Sequence, residues 1–448
     1  METPTPPHTP SADTTASIAS HPGTPVEQAR ALAAIDAWVD DHFDEEVRLL
    51  QALVQIPTDT PPGNNAPHAH HVAKYLETLG WAVEQHPVPD GVVRDHGLES
   101  ITNLIVRRPY GPGGPVVALN AHGDVVPPGE GWRFPPYGGV IDGGRLYGRA
   151  AAVSKSDFAS YIFAVRALES AGIALAGTVE LHFTYDEEFG GLLGPAWLLE
   201  HGLTRPDYAI GAGFSYQIVT AHNACLQFEV TIHGKATHGA MPETGHDAMA
   251  AAARVLGAIY AKAQEFKSLR SAVAGITHPT MLVGTIEGGT NTNVVAGKVV
   301  LRMDRRMIPE EDPAAVEADV RAMIEGAVAK LPGIRVDIRR LLLARALRPL
   351  PGHEKLVAAL ARHGQAVLGE TPVAIGSPLY TDARIYGEFG VPTVLYGAGP
   401  RSVPESNAKR ADENLALEDL RGATKVIARA LLDFMAAPGC PQVATLSR

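Results

Sequence analysis

The sequence is poor in cysteine and in positive charge, and each shortage excludes a class of protein. The two cysteines, Cys225 and Cys440, are far apart, which excludes a disulfide framework and favours a reducing compartment. The net charge is −11, with 38 basic against 49 acidic residues, whereas proteins that bind nucleic acids concentrate positive charge. The sequence therefore predicts no nucleic-acid partner.

Long apolar runs are also missing. No stretch reaches the roughly 18 to 20 residues of a membrane-spanning helix. The first 25 residues have neither the basic start nor the apolar core of a signal peptide. We therefore expect a cytoplasmic protein without a membrane partner. Residues 1–26 are rich in proline, threonine and serine, which is typical of a disordered tail.

Glycine (45) and proline (35) are plentiful in the 448 residues, so we expect many turns between short elements. After a helical segment at 27–55, short apolar strands alternate with helices up to residue 220. This alternation predicts a mostly parallel sheet with helices on both faces. The expected strands are 103–106, 116–120, 178–185 and 208–211, and the expected helices are 153–171 and 192–201.

The pattern changes at about residue 221, where apolar and polar residues alternate as in a strand with one solvated face. The segments expected from here are strands at 226–233, 281–286 and 299–304 and helices at 248–266, 313–330 and 417–435. We predict an α/β catalytic domain in two pieces, 27–220 and 338–448. A smaller α+β domain, 221–337, is inserted between them, with two helices on an antiparallel sheet.

A histidine and an aspartate follow the strand at 116–120. His122 and Asp124 stand at its carboxyl end, where ligands gather in open α/β sheets. A histidine with a carboxylate two residues away suits a metal ligand that an acid orients. Alone, the segment is equally compatible with a surface turn.

Three consecutive acids, Asp186, Glu187 and Glu188, end a later strand. Their repulsion is costly unless a cation or a catalytic proton compensates it. One carboxylate on a metal, with its neighbour as general base, would explain the cluster. A solvated acidic turn is the alternative.

Taken in chain order, these segments resemble the acetylornithine deacetylase, succinyl-diaminopimelate desuccinylase and aminoacylase family of zinc metallopeptidases. The resemblance rests on HGD after a strand, GR before a helix that begins with a lysine, and DEE-x-GG. Further matches are HGKATHGAMP with Gly234, His238 and Pro242; GG and NVV around Asn293; Asp304, Arg306 and Pro309; YTDAR from Tyr380; GAG from Gly397; and ADENL from Ala411. The resemblance covers residues 27–436. It implies a zinc-exopeptidase-like fold and the activity of a two-metal peptidase or amide hydrolase.

The family's metal ligands are a His, a bridging Asp, a Glu, a second acid and a C-terminal His. By resemblance, His122 is the first ligand and Glu188 the third. The remaining positions hold Val153 for the bridge, Ala212 and Gly213 for the second acid, and Lys409 for the final His. One ligand is left for each metal, whereas catalytic zinc usually has three from the protein. Zinc or another divalent metal is therefore implied by the resemblance, but the ligand set also allows a site without metal.

An ion pair in place of a metal is the first hypothesis for this site. The Lys409 ammonium would bind Glu188, and the pair would balance its own charge. Glu187 would still activate water, while Lys409, Lys155 or His238 would stabilise the oxyanion.

A single metal held by His122, Glu188 and Asp157 is the second hypothesis. Asp157 follows Val153 by about one helical turn and so shares its face. The alternative for Asp157 is an early-helix acid that the helix dipole favours.

The substrate side of the site is also implied by the resemblance. Arg306, Asn293 and His238 would be the smaller domain's contribution, and Gly397 would lie in a substrate-contacting loop. Because arginine binds carboxylates through two hydrogen bonds, we expect hydrolysis of an N-acyl amino acid or small peptide with a free carboxylate. The alternative for Arg306 is a structural ion pair with Asp304.

Two other functions stay open at this point. One is a non-hydrolytic binding protein or subunit, and the other is an enzyme that uses the Glu187 base in another reaction. The resemblance further implies a homodimer that pairs through residues 221–337.

Overall fold

The computed structural model describes residues 24–437, and its elements are numbered here in chain order. The helices are α1 (Pro25–Val54), α2 (Ala66–Thr78), α3 (Asp90–Asp95), α4 (Lys155–Glu169), α5 (Pro195–Glu200), α6 (Ala248–Phe266), α7 (Pro313–Val328), α8 (His353–Leu368), α9 (Arg384–Glu388), α10 (Val403–Ser406) and α11 (Leu417–Met435). The strands are β1 (Glu84–Pro87), β2 (Thr102–Gly111), β3 (Val116–His122), β4 (Val140–Asp142), β5 (Arg145–Tyr147), β6 (Gly177–Thr184), β7 (Tyr208–Gly211), β8 (Gln217–His222), β9 (Ala224–His233), β10 (Thr237–His238), β11 (Thr280–Gly288), β12 (Val294–Val295), β13 (Lys298–Met307), β14 (Arg335–Ala344), β15 (Val373–Ser377), β16 (Thr393–Leu395) and β17 (Asn414–Ala416).

The first helix begins inside the segment that we expected to be a tail. The Thr24 hydroxyl accepts the N–H of Glu27 at 3.3 Å, and the Glu27 carboxylate accepts the N–H of Thr24 at 2.6 Å. This reciprocal capping satisfies two amides that a helix start leaves free, so α1 starts at Pro25. The rest of the expected tail, residues 1–23, and Cys440 lie outside the described residues.

The large sheet has the strand order β1-β2-β6-β3-β7-β16-β8-β15. Its centre is parallel, from β6 through β3 and β7 to β16, and β8 pairs in parallel with β15. Val117 and Leu119 of β3 pack in the core beneath α1, α4 and α11, while Ala118 between them packs with residues of α5 and α9. Both faces of the sheet are therefore buried under helices, as the strand–helix alternation predicted.

The second sheet is antiparallel, with the order β11-β13-β9-β14. Alternate residues of β9 are buried under α6 and α7, which explains its apolar–polar pattern. The edge strand β14 was not among the predicted elements, and it runs continuously across position 337, where we expected the inserted unit to end. The predicted fold class, a helix-flanked α/β sheet plus a smaller α+β unit, is confirmed.

None of the helices formed by residues 24–437 is long and apolar enough to cross a membrane.

Candidate active site

A cavity of about 270 Å³ lies at the carboxyl ends of the central strands, next to the end of β13 in the second sheet. Both sheets contribute to its wall. The charged side chains that line it are His122, Asp157, Glu187, Arg306, Asp382 and Lys409. A large part of the remaining lining is apolar. The cavity therefore combines a small group of charges with a water-excluding surface.

His122 ends β3 and is buried at the floor of the cavity. Its Nδ1 lies 3.0 Å from the carbonyl oxygen of Asp124, and its Nε2 lies 3.9 Å from Oε2 of Glu187. Burial lowers the pKa of His122, but the carboxylates of Glu187 and Asp124 more than offset it, and the pKa rises to about 10. The ring is thus held as a cation between two acids at neutral pH.

The acidic turn after β6 is fixed by Asp124. The fully buried Asp124 carboxylate accepts the N–H of Glu187 at 3.2 Å and that of Glu188 at 2.9 Å. Asp186 turns away from the cavity and accepts the N–H of Leu193. Asp124 therefore fixes the backbone that carries Glu187, which lines the cavity, and Glu188.

Lys409 and Glu188 form an ion pair beside the cavity. The Lys409 Nζ lies 2.7 Å from Oε2 of Glu188. Burial raises the pKa of Glu188 to about 7, while the Lys409 ammonium opposes this rise. Burial lowers the pKa of Lys409, but Glu187 and Glu188 outweigh it, and the net shift is upward. The pair expected from the charge count is present.

The loop that presents Lys409 has a strained backbone. Lys409 has φ +62°, in the left-handed region that side chains other than glycine seldom adopt. The buried Glu413 carboxylate holds it by accepting the N–H of Lys409 at 3.2 Å, and it also accepts those of Ala152 and Val153 at 3.2 and 3.3 Å. Glu413 is paired with the buried guanidinium of Arg149. The ion pair of Arg149 with Glu413 therefore fixes both the loop of Lys409 and the loop of Ala152 and Val153.

The helix expected from Val153 begins at Lys155 instead, because Val153 belongs to the loop that Glu413 holds. Lys155 is fully buried and donates to the carbonyl of Ile56 at 2.7 Å, and it does not line the cavity. Burial lowers its pKa to about 7. The structure gives no support to its expected role at the oxyanion.

Asp157 lines the cavity from the first turn of α4. Its Oδ1 accepts the N–H of Ala398 at 2.7 Å, and burial raises its pKa to about 7. A Cβ at Gly397 would overlap this carboxylate, so Gly397 is required for close packing and is not part of the cavity lining. Asp157 therefore binds the loop after β16, which is a different task from the third metal ligand that we considered.

Arg306 is placed on the cavity by β13. Its Nε donates to Oδ1 of Asp304 at 2.7 Å, and its guanidinium lies 5.0 Å from the centre of the Tyr380 ring. Both interpretations from the sequence therefore describe part of its environment, since it is ion-paired and also lines the cavity.

His238 and Asn293 lie together in the second unit but away from this cavity. His238 is on β10, which pairs with β12, and the carbonyl of Asn293 accepts the N–H of Gly239 at 2.7 Å. Both side chains are exposed. Neither lines the cavity of the same chain, so their expected catalytic and substrate roles stay predictions.

Asp382 was missed by sequence reasoning. It is buried in the cavity wall, and its Oδ2 has no hydrogen-bond partner among the described residues. Burial, reinforced by the charge of Glu187, raises its pKa to about 7. The YTDAR match contains Asp382, but only the fold brings this loop beside the acidic turn.

The residues present do not fit a pair of metal ions. Lys409 Nζ occupies one carboxylate oxygen of Glu188, and Val153 and Ala212 offer no donor side chain. Within residues 24–437, no three His, Cys, Asp or Glu side chains are arranged so that they could hold a metal ion. The donor set therefore disagrees with the two-metal site that the resemblance implies.

The chain is similar to known proteins over most of its length. A family model described as Peptidase family M20/M25/M40 matches residues 118–433. The succinyl-diaminopimelate desuccinylase of Methylobacterium sp. (strain 4-46) is 27% identical over 396 residues, which cover 86% of this chain and 94% of that protein.

Solved structures share the fold. The di-peptidase Dug1p from Saccharomyces cerevisiae superposes with a TM-score of 0.75 at 15% identity, over 90% of this chain and 98% of that one. The Bacillus subtilis YXEP protein, described as a dinuclear metal binding peptidase, has a TM-score of 0.62 at 19% identity, over 88% of this chain and 99% of that one.

Proposed function

The chain belongs to peptidase family M20/M25/M40, and on this premise we propose that it hydrolyses the amide or peptide bond of a small substrate with a free carboxylate. N-acyl amino acids and short peptides have this chemistry. The observation that carries the proposal is the position of Glu187 on one cavity with two cations, Lys409 and Arg306. The names of the relatives give no support to a non-hydrolytic binding protein or to another reaction of Glu187.

The reaction can be written with this chain's own residues. The Glu187 carboxylate takes a proton from water as the water oxygen attacks the carbonyl carbon. The carbonyl electron pair moves to oxygen, and the Lys409 ammonium and the His122 ring stabilise the resulting oxyanion. When the C–N bond breaks, the proton on Glu187 passes to the leaving amine. No step is assigned to a metal, because the donor set does not fit one.

Turnover measured with and without a chelator tests this proposal. We expect N-acyl amino acids or dipeptides to be cleaved at the same rate in EDTA and in added zinc. Glu187→Gln should reduce kcat by about 10²- to 10⁴-fold, the usual contribution of a general base. The matched control is Glu200→Gln, an exposed glutamate at the end of α5, and it should leave kcat unchanged.

Two results would contradict it. Activity that EDTA abolishes and zinc restores would return the metal to the reaction. Full activity of the Glu187→Gln variant would place the catalytic base elsewhere.

We further propose that the inserted unit runs from about residue 221 past the expected end at 337 to the end of β14, which belongs to its sheet, and that the chain pairs through this unit as a homodimer. Leu282 and Ile286 on the edge strand β11 are 46% and 49% exposed, which supports an apolar contact there. The cysteine usage supports a cytoplasmic location. Light scattering after gel filtration tests the dimer, and Ile286→Lys should reduce the measured mass to that of a monomer.

A further inference from the structure

One side of the cavity is apolar where the resemblance would place acids. Val153 stands at the bridging position and Ala212 at that of the second acid, and both line the cavity. We define the apolar wall as the surface formed by Val153, Ala212, Phe214, Leu395 and Val403.

The charged end of the cavity can bind an anion. Arg306 uses Nε for Asp304, and its terminal nitrogens have no hydrogen-bond partner among the described residues. A carboxylate can bind two guanidinium nitrogens at once. Lys409 adds a second cationic group, the ammonium that is already paired with Glu188. The terminal nitrogens of Arg306 therefore suit a carboxylate at one end of the ligand.

The volume limits the rest of the ligand. The cavity of about 270 Å³ is smaller than most sites for drug-sized ligands, which span about 300–1,000 Å³. It is larger than the roughly 150 Å³ that accommodates one benzene molecule. There is room for a carboxylate, one amide and a single compact branched or aromatic group.

We propose that the apolar wall binds a compact apolar group of the substrate, carried by an N-acyl amino acid whose carboxylate pairs with Arg306. The ligand class rests on the proposed function. A second carboxylate, as in an N-succinyl group, would be buried against the side chains of Val153 and Ala212, which offer it no hydrogen bond, and such burial is costly. The chain should therefore discriminate against N-succinyl ligands, although one relative is a desuccinylase by name.

Calorimetric titration of the Glu187→Gln variant tests the proposal, because this variant allows binding to be measured without turnover. One arm uses acetyl-, propionyl-, butyryl-, benzoyl- and succinylglycine; the other uses N-acetyl derivatives of alanine, valine and leucine. We expect about a fourfold gain in affinity for each added CH₂ in the arm whose group contacts the wall. Butyrylglycine should bind at least about tenfold more tightly than succinylglycine. No gain in either arm, or tighter binding of succinylglycine, would overturn the proposal.

Variants of the wall locate the effect. Val153→Thr adds a hydroxyl at nearly constant shape and should reduce the gain for each CH₂ to less than about twofold. The control is Val373→Thr, which changes an exposed valine on β15 and should leave the gain unchanged. Phe214→Ala enlarges the cavity at the apolar wall and should shift the binding preference towards benzoylglycine. An unaltered gain in Val153→Thr would show that the group binds elsewhere.

The proposed function and the proposed apolar wall can be tested separately. Graded binding without turnover by the unaltered chain would contradict hydrolysis and support the apolar wall. Turnover of every ligand at equal kcat/KM would support hydrolysis and contradict the wall.

Discussion

The two sides of the cavity are built alike but carry different chemistry. On one side, Asp124 holds the acidic turn through the N–H groups of Glu187 and Glu188. On the other, Glu413 holds the loops of Val153 and Lys409 through their N–H groups. Both carboxylates accept hydrogen bonds from backbone N–H groups. The geometry of these bonds does not depend on which side chain the residue carries. This explains how Val153 and Lys409 can stand where the resemblance expects metal ligands while the loops keep their course.

Restoring the expected metal ligands is the strongest test of this difference between the two sides of the cavity. Val153→Asp, Ala212→Glu and Lys409→His in one chain should create a site for about two zinc ions, because His122 lines the same cavity as these positions and Glu188 contacts Lys409. Metal analysis of purified protein would show the zinc, and unaltered protein should hold far less. Adding Glu188→Gln to the triple variant is the control and should remove at least one ion.

Removing Glu413 should have the largest effect on stability. In Glu413→Ala the Arg149 guanidinium, 1% exposed, stays buried without its partner. We expect the free energy of unfolding, measured in urea, to fall by about 3–5 kcal/mol. Glu413→Gln, which can still accept backbone N–H bonds, should lose less. The matched control Glu418→Ala changes an exposed carboxylate, and equal losses in both alanine variants would contradict the role of Glu413.

Weakening the acidic turn should affect catalysis more than folding. In Asp124→Asn, one carboxylate oxygen becomes an NH₂ group that cannot accept the N–H of Glu187 or Glu188. The lost charged hydrogen bond is worth about 1.5–3 kcal/mol, so kcat should fall roughly 10- to 100-fold. An unchanged kcat in a variant of native stability would show that the turn does not need Asp124.

A buried carboxyl group outside the cavity should have the smallest effect on stability, and this effect should depend on pH. Glu46 of α1 is fully buried against Thr424, and burial raises its pKa to about 8. The folded state therefore keeps a proton that the unfolded chain loses at lower pH, and stability falls as pH rises from about 4.5 to 8. Glu46→Gln should therefore become steadily more stable relative to the unaltered protein as the pH rises from 5 to 8. Thermal unfolding measures this gain, and a pH-independent difference would contradict it.

Much of the fold could be predicted from periodicity. The helices α6 and α11 have the bounds that the sequence indicated, because each has a clear apolar face, and α6 is also capped by Asp247. The edge strand β14 was missed because its apolar–polar alternation extends only over RVDIR and is interrupted where the register shifts between Arg340 and Leu342. Edge strands are specified by their neighbour, which a single sequence does not reveal.

The site could be predicted only in part. Counting charges at the positions of the expected metal ligands was enough to predict the ion pair of Lys409 with Glu188. The catalytic roles of both residues stay predictions. The burial of Lys155 and the presence of Asp382 depend on packing: Lys155 turns back to Ile56, and Asp382 arrives from a loop that is distant in sequence. Side-chain direction and long-range contacts of this kind leave no local pattern.

The contact of Arg306 with Tyr380 joins the second sheet to the first across the mouth of the cavity. The partner expected for the substrate's carboxylate therefore lies on the second sheet, while the proposed general base lies at the end of a strand of the first. A swing of the second sheet away from the first would separate the two and open the cavity in a single motion. Product escape and release of the carboxylate would then be the same event, and this motion would set the rate of turnover whenever bond cleavage is faster.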